Sequence, residues 1–228
     1  MGKRRIRKPP LKQICERYKK LYGGPLYDVL EGMGLPNQVL SHQIMPLLPH
    51  MKVAGPAYTV KGERQHPKQT PFTKINLLEG LKRHYVCVYA AGDDESGHWG
   101  ELTSNNAARI GAQGIVVDGG ARDSSMHIRI PNWNTFCRYT SPIEAGPRAS
   151  IVAQNEPILV RGTLTEFVEV RPKDFVFGDL DGVIVVPQEI VMEVLEKAED
   201  VVAKELKGRA LIWEGKSMEE IGRALGVG

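Results

Sequence analysis

The sequence predicts one α/β domain with helical ends, and three observations carry that expectation. Two continuous apolar runs, residues 85–91 and 115–117, flank a polar loop and a helix-patterned stretch. Strand, loop, helix and strand in that order are the mark of a parallel βαβ unit. After Pro131 the chain turns to short strand-like runs, with Asp181-Gly182 between two apolar runs as a strong hairpin signal. With 228 residues, 42% hydrophobic and 25% charged, the chain can bury a sizeable core without disulfides. We divide it into a basic arm and helix over 1–24, an α/β domain over 25–208 and a helical tail over 209–228.

Each element has its own warrant. Residues 11–22 have helical spacing, and Gly23-Gly24-Pro25 is expected to stop that helix. A short helical piece over 26–32 precedes a connector through Pro46 and Pro49. Residues 53–60 alternate small and β-branched side chains, a strand pattern in which Gly55-Pro56 reads as a kink or an edge. Apolar residues at 72, 75, 78 and 81 predict a helix over 72–83. Residues 85–91 read as a buried strand, 92–100 as a polar loop, and 101–114 as a helix ending at Gly111 or Gly114. Residues 115–120 form a strand that runs into a glycine turn. Further strands are expected within 134–140, 149–153, 157–170 and 174–187, then a long amphipathic helix over about 188–207. Ser217 and Glu220 make an S-x-x-E capping box that announces a last helix.

Charge excludes some functions. The net charge of +3 conceals two parts: residues 1–20 hold nine basic side chains against Glu16, a net of +8. The other 208 residues therefore carry −5, so the body is not a basic nucleic-acid surface, and nucleic acid is not an expected partner. No window nears the roughly 18 consecutive apolar residues of a membrane span, so no membrane role is expected. The N-terminus lacks the apolar stretch of a secretory signal, and Pro9-Pro10 breaks any amphipathic import helix. A cytoplasmic protein is expected. Cys15, Cys87 and Cys137 form neither CxxC nor CxxxH and read as reduced thiols, and the six histidines offer no HExxH.

Gly215-Lys216-Ser217 resembles the end of a phosphate-binding loop, but Ala210 stands where the first glycine must sit, and Ser217 serves better as a helix cap. GxGxxG is absent, which leaves a Rossmann dinucleotide site without support. The informative residues lie between 92 and 123. Gly97-His98-Trp99-Gly100-Glu101 stands where a loop enters a helix, so free amides and the positive helix end suit a carboxylate or phosphate. Downstream, Gly119-Gly120-Ala121-Arg122-Asp123 follows a buried strand. Our reading of the βαβ order puts the helix start and the end of the next strand at opposite ends of the sheet unless the loops reach over. From residue types alone, Glu101 also fits a dipole-favouring first-turn carboxylate, Asp123 a helix cap and Arg122 a surface ion pair. His98 and Trp99 are equally suited to lining a site or to packing. Asp179 and Asp181 read as turn formers rather than ligands.

The stretches AGPAYTV (54–60), GHWGELTSNNAARIGAQGIVVDGGARD (97–123) and FGDLDGVIVVP (177–187), followed by a long helix, resemble the RraA-like family. That family includes metal-dependent 4-hydroxy-4-methyl-2-oxoglutarate/4-carboxy-4-hydroxy-2-oxoadipate aldolases and protein regulators of ribonuclease E. The resemblance spans about residues 25–205. It implies an α/β/β sandwich of swivelling-domain type, assembled as a homotrimer or homohexamer with sites at subunit interfaces. Carried over residue by residue, it implies Asp123 as the metal ligand, Arg122 as the substrate-binding and catalytic arginine, and Glu101 as the acid that positions a catalytic water. It places the loop amides that hold a substrate carboxylate around Gly100, Leu102 and Thr103. The family's aldolases often carry Asp where this chain has Glu101. Many ribonuclease-regulating members lack the Asp after the Arg, whereas this chain keeps Asp123, which tilts the implication towards an enzyme. Residues 61–96 and the basic arm depart from the family pattern. Glu196, Glu199 and Glu205 are candidates to reach a neighbouring subunit's site.

Cleaving a C–C bond beside a 2-keto acid requires a sink for electrons. A lysine Schiff base is one, but the chain has no lysine between Lys82 and Lys173. A divalent cation acting as Lewis acid is the other, and Mg²⁺ or Mn²⁺ is the expected cofactor. Mg²⁺ keeps several waters and takes one or two carboxylates, in keeping with Asp123 as a sole direct ligand. The expectation is a lyase on small 2-keto acids, by retro-aldol cleavage of 4-hydroxy-2-oxo acids, oxaloacetate decarboxylation, or both. The alternatives are a non-enzymatic regulator of a ribonuclease and a sugar-acid pathway enzyme of the same family.

Overall fold

The computed structural model describes residues 9–64 and 77–226. In chain order the elements are α1 (Leu11–Tyr18), α2 (Gly23–Gly32), β1 (Met45–Pro46), β2 (Val53–Arg64), β3 (Val86–Ala90), β4 (Gly97–Trp99), α3 (Glu101–Ile110) and β5 (Gly114–Ala121). They continue with α4 (Ser124–His127), β6 (Asn134–Thr140), β7 (Ala149–Gln154), β8 (Ile158–Arg161), β9 (Phe167–Val170), β10 (Phe175–Asp179) and β11 (Gly182–Val186). Two helices close the chain, α5 (Val191–Trp213) and α6 (Met218–Leu225). The main sheet runs β1-β6-β5-β3-β2-β10-β11, with β4 beside β5 and β7 beside β2, while β8 and β9 form a separate hairpin. It curls towards closure, bringing β1 near β11.

The expected βαβ unit is present, for β3 and β5 pair in parallel from Val86↔Gly114 to Ala90↔Asp118. This corrects the opposite-ends expectation. Parallel strands finish at one end of the sheet, and a crossover helix begins where the strand before it finished. The start of α3 and the end of β5 therefore meet. The loop expected at 92–100 also holds a strand, because Gly97-His98-Trp99 is buried and pairs with the end of β5.

Three further expectations change. α1 ends at Tyr18, and Gly23-Gly24-Pro25 forms the first turn of α2 rather than a stop. Proline costs no intrahelical bond in a first turn, and the Asp179 carboxylate accepts the Gly23 amide at 2.9 Å. Gly55-Pro56 is neither a kink nor an edge. β2 lies inside the sheet, paired with β10 over Val53–Pro56 on one side and with β3 from Ala57 on the other, so Pro56 stands where the pairing changes. A Cβ on residue 55 would sit 2.0 Å from the His84 carbonyl oxygen, which explains the glycine. Of the helix expected over 72–83, residues 72–76 lie outside the described residues and 77–83 are turn and irregular chain. Gly80 at φ 88° and His84 at φ 70° are incompatible with continuing a right-handed helix there.

The strands expected within 157–170 pair with each other as the hairpin β8–β9, and the hairpin expected at Asp181-Gly182 forms as β10–β11 around Leu180-Asp181, with Gly182 at φ 130°. The long helix starts three residues later than expected and runs on to Trp213. Ser217 and Glu220 complete their capping box at α6. Three buried clusters hold the layers together. Tyr18, Leu30, Phe177 and Leu195 join α1, α2 and α5 to the sheet. Val88, Val116, Phe136 and Val170 fill the space against β8–β9. Tyr58, Trp99, Ala107 and Ile115 seat α3. Cys15, Cys87 and Cys137 are unbridged and buried.

Candidate functional site

Close backbone approach builds the site. A Cβ on residue 97 would lie 2.6 Å from both Arg122 Cβ and the Ser141 carbonyl, and one on residue 120 would lie 2.4 Å from the Ser96 carbonyl. Glycine at both positions lets β4 lie against the end of β5. The Trp99 carbonyl then accepts the Arg122 amide at 3.0 Å, and the chain turns at Gly100 into α3. Asp123 adopts a left-handed conformation at φ 59°, which Asp tolerates better than most residues, and opens the single turn α4.

The result is a cleft of about 360 Å³ lined by residues 121–124 and 140–142. Arg122 Nε lies 3.6 Å from Asp123 Oδ1, and Arg122 Nη1 lies 3.8 Å from Glu144 Oε1. The Glu101 amide donates to Asp123 Oδ2 at 3.4 Å, and a Cβ on residue 100 would sit 3.1 Å from that oxygen. α3 has no side-chain cap, so the Leu102 and Thr103 amides belong to the unsatisfied first turn of the helix. The structure therefore brings together Gly100, Glu101, Leu102, Thr103, Arg122 and Asp123. Glu101, however, meets Asp123 through its amide. Its carboxylate accepts from the Asn105 side chain one turn along α3.

His98 and Trp99 do not line the cleft; both are buried. His98 Nε2 lies 3.1 Å from Asp93 Oδ2 but is misaligned for a hydrogen bond, and burial pushes the imidazole below its ordinary value despite Asp93. Beneath the site runs a wholly buried polar chain. Trp99 Nε1 donates to Ser104 Oγ at 2.9 Å, Ser104 Oγ lies 3.3 Å from His127 Nε2, and His127 Nδ1 lies 3.0 Å from Thr135 Oγ1. Burial lowers the His127 pKa although Asp123 opposes it.

Asp179 and Asp181 behave as turn formers, with Asp179 Oδ1 accepting the Asp181 amide at 3.0 Å. Glu199 is held by Arg17, Nε to Oε1 at 2.8 Å, and Glu205 by Arg209 at 2.8 Å. Reading the sequence missed Ser124, Thr140, Ser141, Pro142 and Glu144 beside the cleft. They follow Asp123 or β6 in segments with no motif, and the pairing of β5 with β6, together with the Gly97–Glu144 bridge, brings 140–144 to Arg122.

The donor set limits what cation the site can hold. Among the described residues no three His, Cys, Asp or Glu side chains gather into a metal cage. Of the residues lining the cleft, Asp123 carries the carboxylate, and it is half-exposed. That fits a hard, water-keeping ion such as Mg²⁺ or Mn²⁺ rather than a tetrahedral Zn²⁺ centre.

The RraA-like family model, described as Aldolase/RraA, matches residues 24–185. Protein DlpA of Legionella pneumophila is 30% identical over 195 residues, covering 85% of this chain, which spans only 30% of that relative's length. A putative 4-hydroxy-4-methyl-2-oxoglutarate aldolase of Halalkalibacterium halodurans is 33% identical over 174 residues, 75% of each chain. The crystal structure of Streptomyces coelicolor RraAS2, described as an unusual member of the RNase ES inhibitor RraA protein family, superposes with a TM-score of 0.77 at 27% identity. The superposition covers 89% of this chain and 99% of that one. Among the described residues no helix is long and apolar enough to cross a membrane.

Proposed function

We propose, from the premise that this chain belongs to the RraA-like family, that it is a divalent-metal-dependent lyase acting on small 2-keto acids. The reaction is retro-aldol cleavage of 4-hydroxy-2-oxo acids to pyruvate, oxaloacetate decarboxylation, or both, since the two share an enolate. The observation that carries the reading is Arg122 and Asp123 side by side in the cleft, with the Glu101 amide at the start of α3 donating to Asp123 Oδ2. A relative covering 75% of the chain and named as a putative aldolase supports it.

When bound at Asp123, Mg²⁺ or Mn²⁺ supplies Lewis acidity to the keto oxygen of the substrate. Arg122 is always charged, and among the described residues only long contacts to carboxylates engage its guanidinium, which leaves it able to bind the oxygen on which enolate charge develops. The first turn of α3, through the Leu102 and Thr103 amides, orients a substrate carboxylate. Glu101 holds the proton-carrying water after its carboxylate leaves Asn105. Thr140 offers a hydroxyl to the substrate's polar end, whereas the Ser141 hydroxyl donates to the Glu95 carbonyl at 2.9 Å and accepts the Ile143 amide at 3.2 Å, fixing the loop beside the cleft. Leu102, Met126, Ile128 and Ile143 leave apolar surface exposed, which is consistent with a homotrimer or homohexamer whose neighbouring subunit covers the site. The free, buried thiols accord with a cytoplasmic location.

The test is pyruvate release from oxaloacetate and from a panel of 4-hydroxy-2-oxo acids, with added Mg²⁺ and with EDTA. EDTA-sensitive turnover is the expected result. Its absence on every substrate would favour the second reading, a protein-binding ribonuclease regulator, which the likeness to RraAS2 supports.

A further inference from the structure

We propose that His127 is a positioning residue, locking the start of α3 to the segment that carries Arg122 and Asp123. α4 is a single turn with no side-chain cap, and His127 is its only buried residue. A turn that short has no helical stability of its own. Asp123, in its left-handed conformation, is held in place by whatever anchors the turn, and its carbonyl accepts the amides of Met126 at 2.8 Å and His127 at 3.2 Å. The anchor is the His127 ring. One nitrogen reaches Ser104 on α3 and the other reaches Thr135 on β6.

Proton counting fixes the direction of the chain. The Trp99 indole can only donate, so Ser104 Oγ accepts from it. Ser104 then has one proton to give, and the neighbour placed to take it is His127 Nε2 at 3.3 Å. With Nε2 accepting from Ser104, Nδ1–H donates to Thr135 Oγ1 at 3.0 Å. The neutral Nδ1–H tautomer satisfies every link of this chain, while the Gly100 carbonyl, also within reach of the ring, is the acceptor a proton on Nε2 would use instead. The chain joins β4, α3, α4 and β6, which are the elements bounding the site. Trp99 precedes Gly100 directly, and Ser104 closes the first turn of α3 through its amide to the Gly100 carbonyl at 3.1 Å.

The catalytic consequence rests on the metal-lyase reading, but the lock itself does not, and the experiment separates the two. Wild type, His127→Leu, His127→Gln and Ser104→Ala would be compared by Mn²⁺ titration and by amide shifts of Glu101, Leu102 and Thr103 in ¹H–¹⁵N spectra. Ring ¹⁵N shifts of His127 would report the tautomer in wild type. We expect His127→Leu to weaken Mn²⁺ binding on the order of tenfold or more, as loss of a supporting hydrogen bond around a metal ligand does. It should also displace all three amides. Gln places an acceptor near the former Nε2, so His127→Gln should recover part of both effects, which a purely space-filling role would not produce. Ser104→Ala cuts the same link from the other side, and should displace the amides even where His127→Leu fails to fold. Wild-type amide positions in Ser104→Ala, or a proton found on Nε2, would overturn the proposal. A wild type that neither binds Mn²⁺ nor turns over a 2-keto acid would instead sink the lyase reading, with amides and ring nitrogens still reporting on the lock.

Discussion

Replacing Arg122 with alanine should separate activity from stability, and the structure sets both magnitudes. The guanidinium makes two carboxylate contacts, at 3.6 Å to Asp123 and 3.8 Å to Glu144, both beyond good hydrogen-bond length. Its side chain is 36% exposed and its partners 45% and 56%. Pairs so exposed are screened by solvent and contribute about 0–1 kcal/mol each. For a chain of this size a loss of 1 kcal/mol moves the melting temperature by roughly 2–4 °C. On the proposed lyase reading the same group would face developing negative charge in the cleft. Removing one such stabiliser costs about 10²–10³ in turnover, or roughly 2.7–4 kcal/mol. The assay is initial-rate pyruvate release from oxaloacetate at saturating Mg²⁺, coupled to lactate dehydrogenase and corrected for metal-catalysed background, beside a thermal melt. Arg122→Lys should fall between, because an ammonium keeps the charge but not the planar fork. An Arg122→Ala protein with turnover within about threefold of wild type and an unchanged melt would refute the assignment.

Other expectations follow from the same geometry. Asp123→Asn keeps the shape of the side chain but removes the charge a hard cation requires, so Mn²⁺ affinity by calorimetry and EDTA-sensitive turnover should both collapse; retained Mn²⁺ binding would place the ion elsewhere. Gly97→Ala forces a Cβ to within 2.6 Å of Arg122 Cβ and the Ser141 carbonyl. It should lower stability by about 1–3 kcal/mol, seen as an earlier urea midpoint, and reduce activity with it. His98 is buried with its pKa held below 6.5, so below that pH the unfolded chain takes up a proton that the native ring resists. Its contribution to stability is complete above about pH 6.5 and declines as the pH falls from there towards the lower native pKa. Urea midpoints at pH 7.5, 6.0 and 5.0 should show the decline, and His98→Asn should reduce it, with buried His127, whose pKa burial also lowers, supplying a remainder.

Much of the fold was legible because its signals are local. The apolar runs at 85–91 and 115–117, the Asp181-Gly182 turn and the Ser217–Glu220 box each became the element their patterns predict. Where reading failed, a distant contact had overridden a local rule. Pro25 sits inside a helix start because Asp179, far along the chain, accepts the Gly23 amide. Pro56 sits in a central strand because that strand changes partners beside it. Residues 97–99 look like loop because glycine, histidine and tryptophan have no strand alternation, yet β5 gives them a pairing edge. Of the candidate site, the motif marked Glu101, Arg122 and Asp123, which the structure brings together, Glu101 through its amide. Thr140, Ser141 and Glu144 were unmarked, for nothing in their types distinguishes them from surface loop until β6 is laid beside β5.

The geometry around Asp123 bears on the choice between enzyme and regulator. A surface that only docks another protein needs exposed complementarity and tolerates changes in backbone detail. Here a non-glycine residue is held at φ 59°, glycine is required at 97 and 120, and residue 100 has little room for a side chain beside the carboxylate. Conformations off the common regions cost on the order of 1–3 kcal/mol and persist where surrounding structure over-determines them. The buried chain from Trp99 to Thr135 supplies that over-determination immediately under Asp123. Holding one carboxylate, one guanidinium and a row of helix amides in fixed register is what positioning a small anion beside a cation demands. The net charge of the whole chain pointed only weakly to such a ligand, because the arm's +8 masks a body of −5 in which Arg122 supplies the positive charge at the cleft floor.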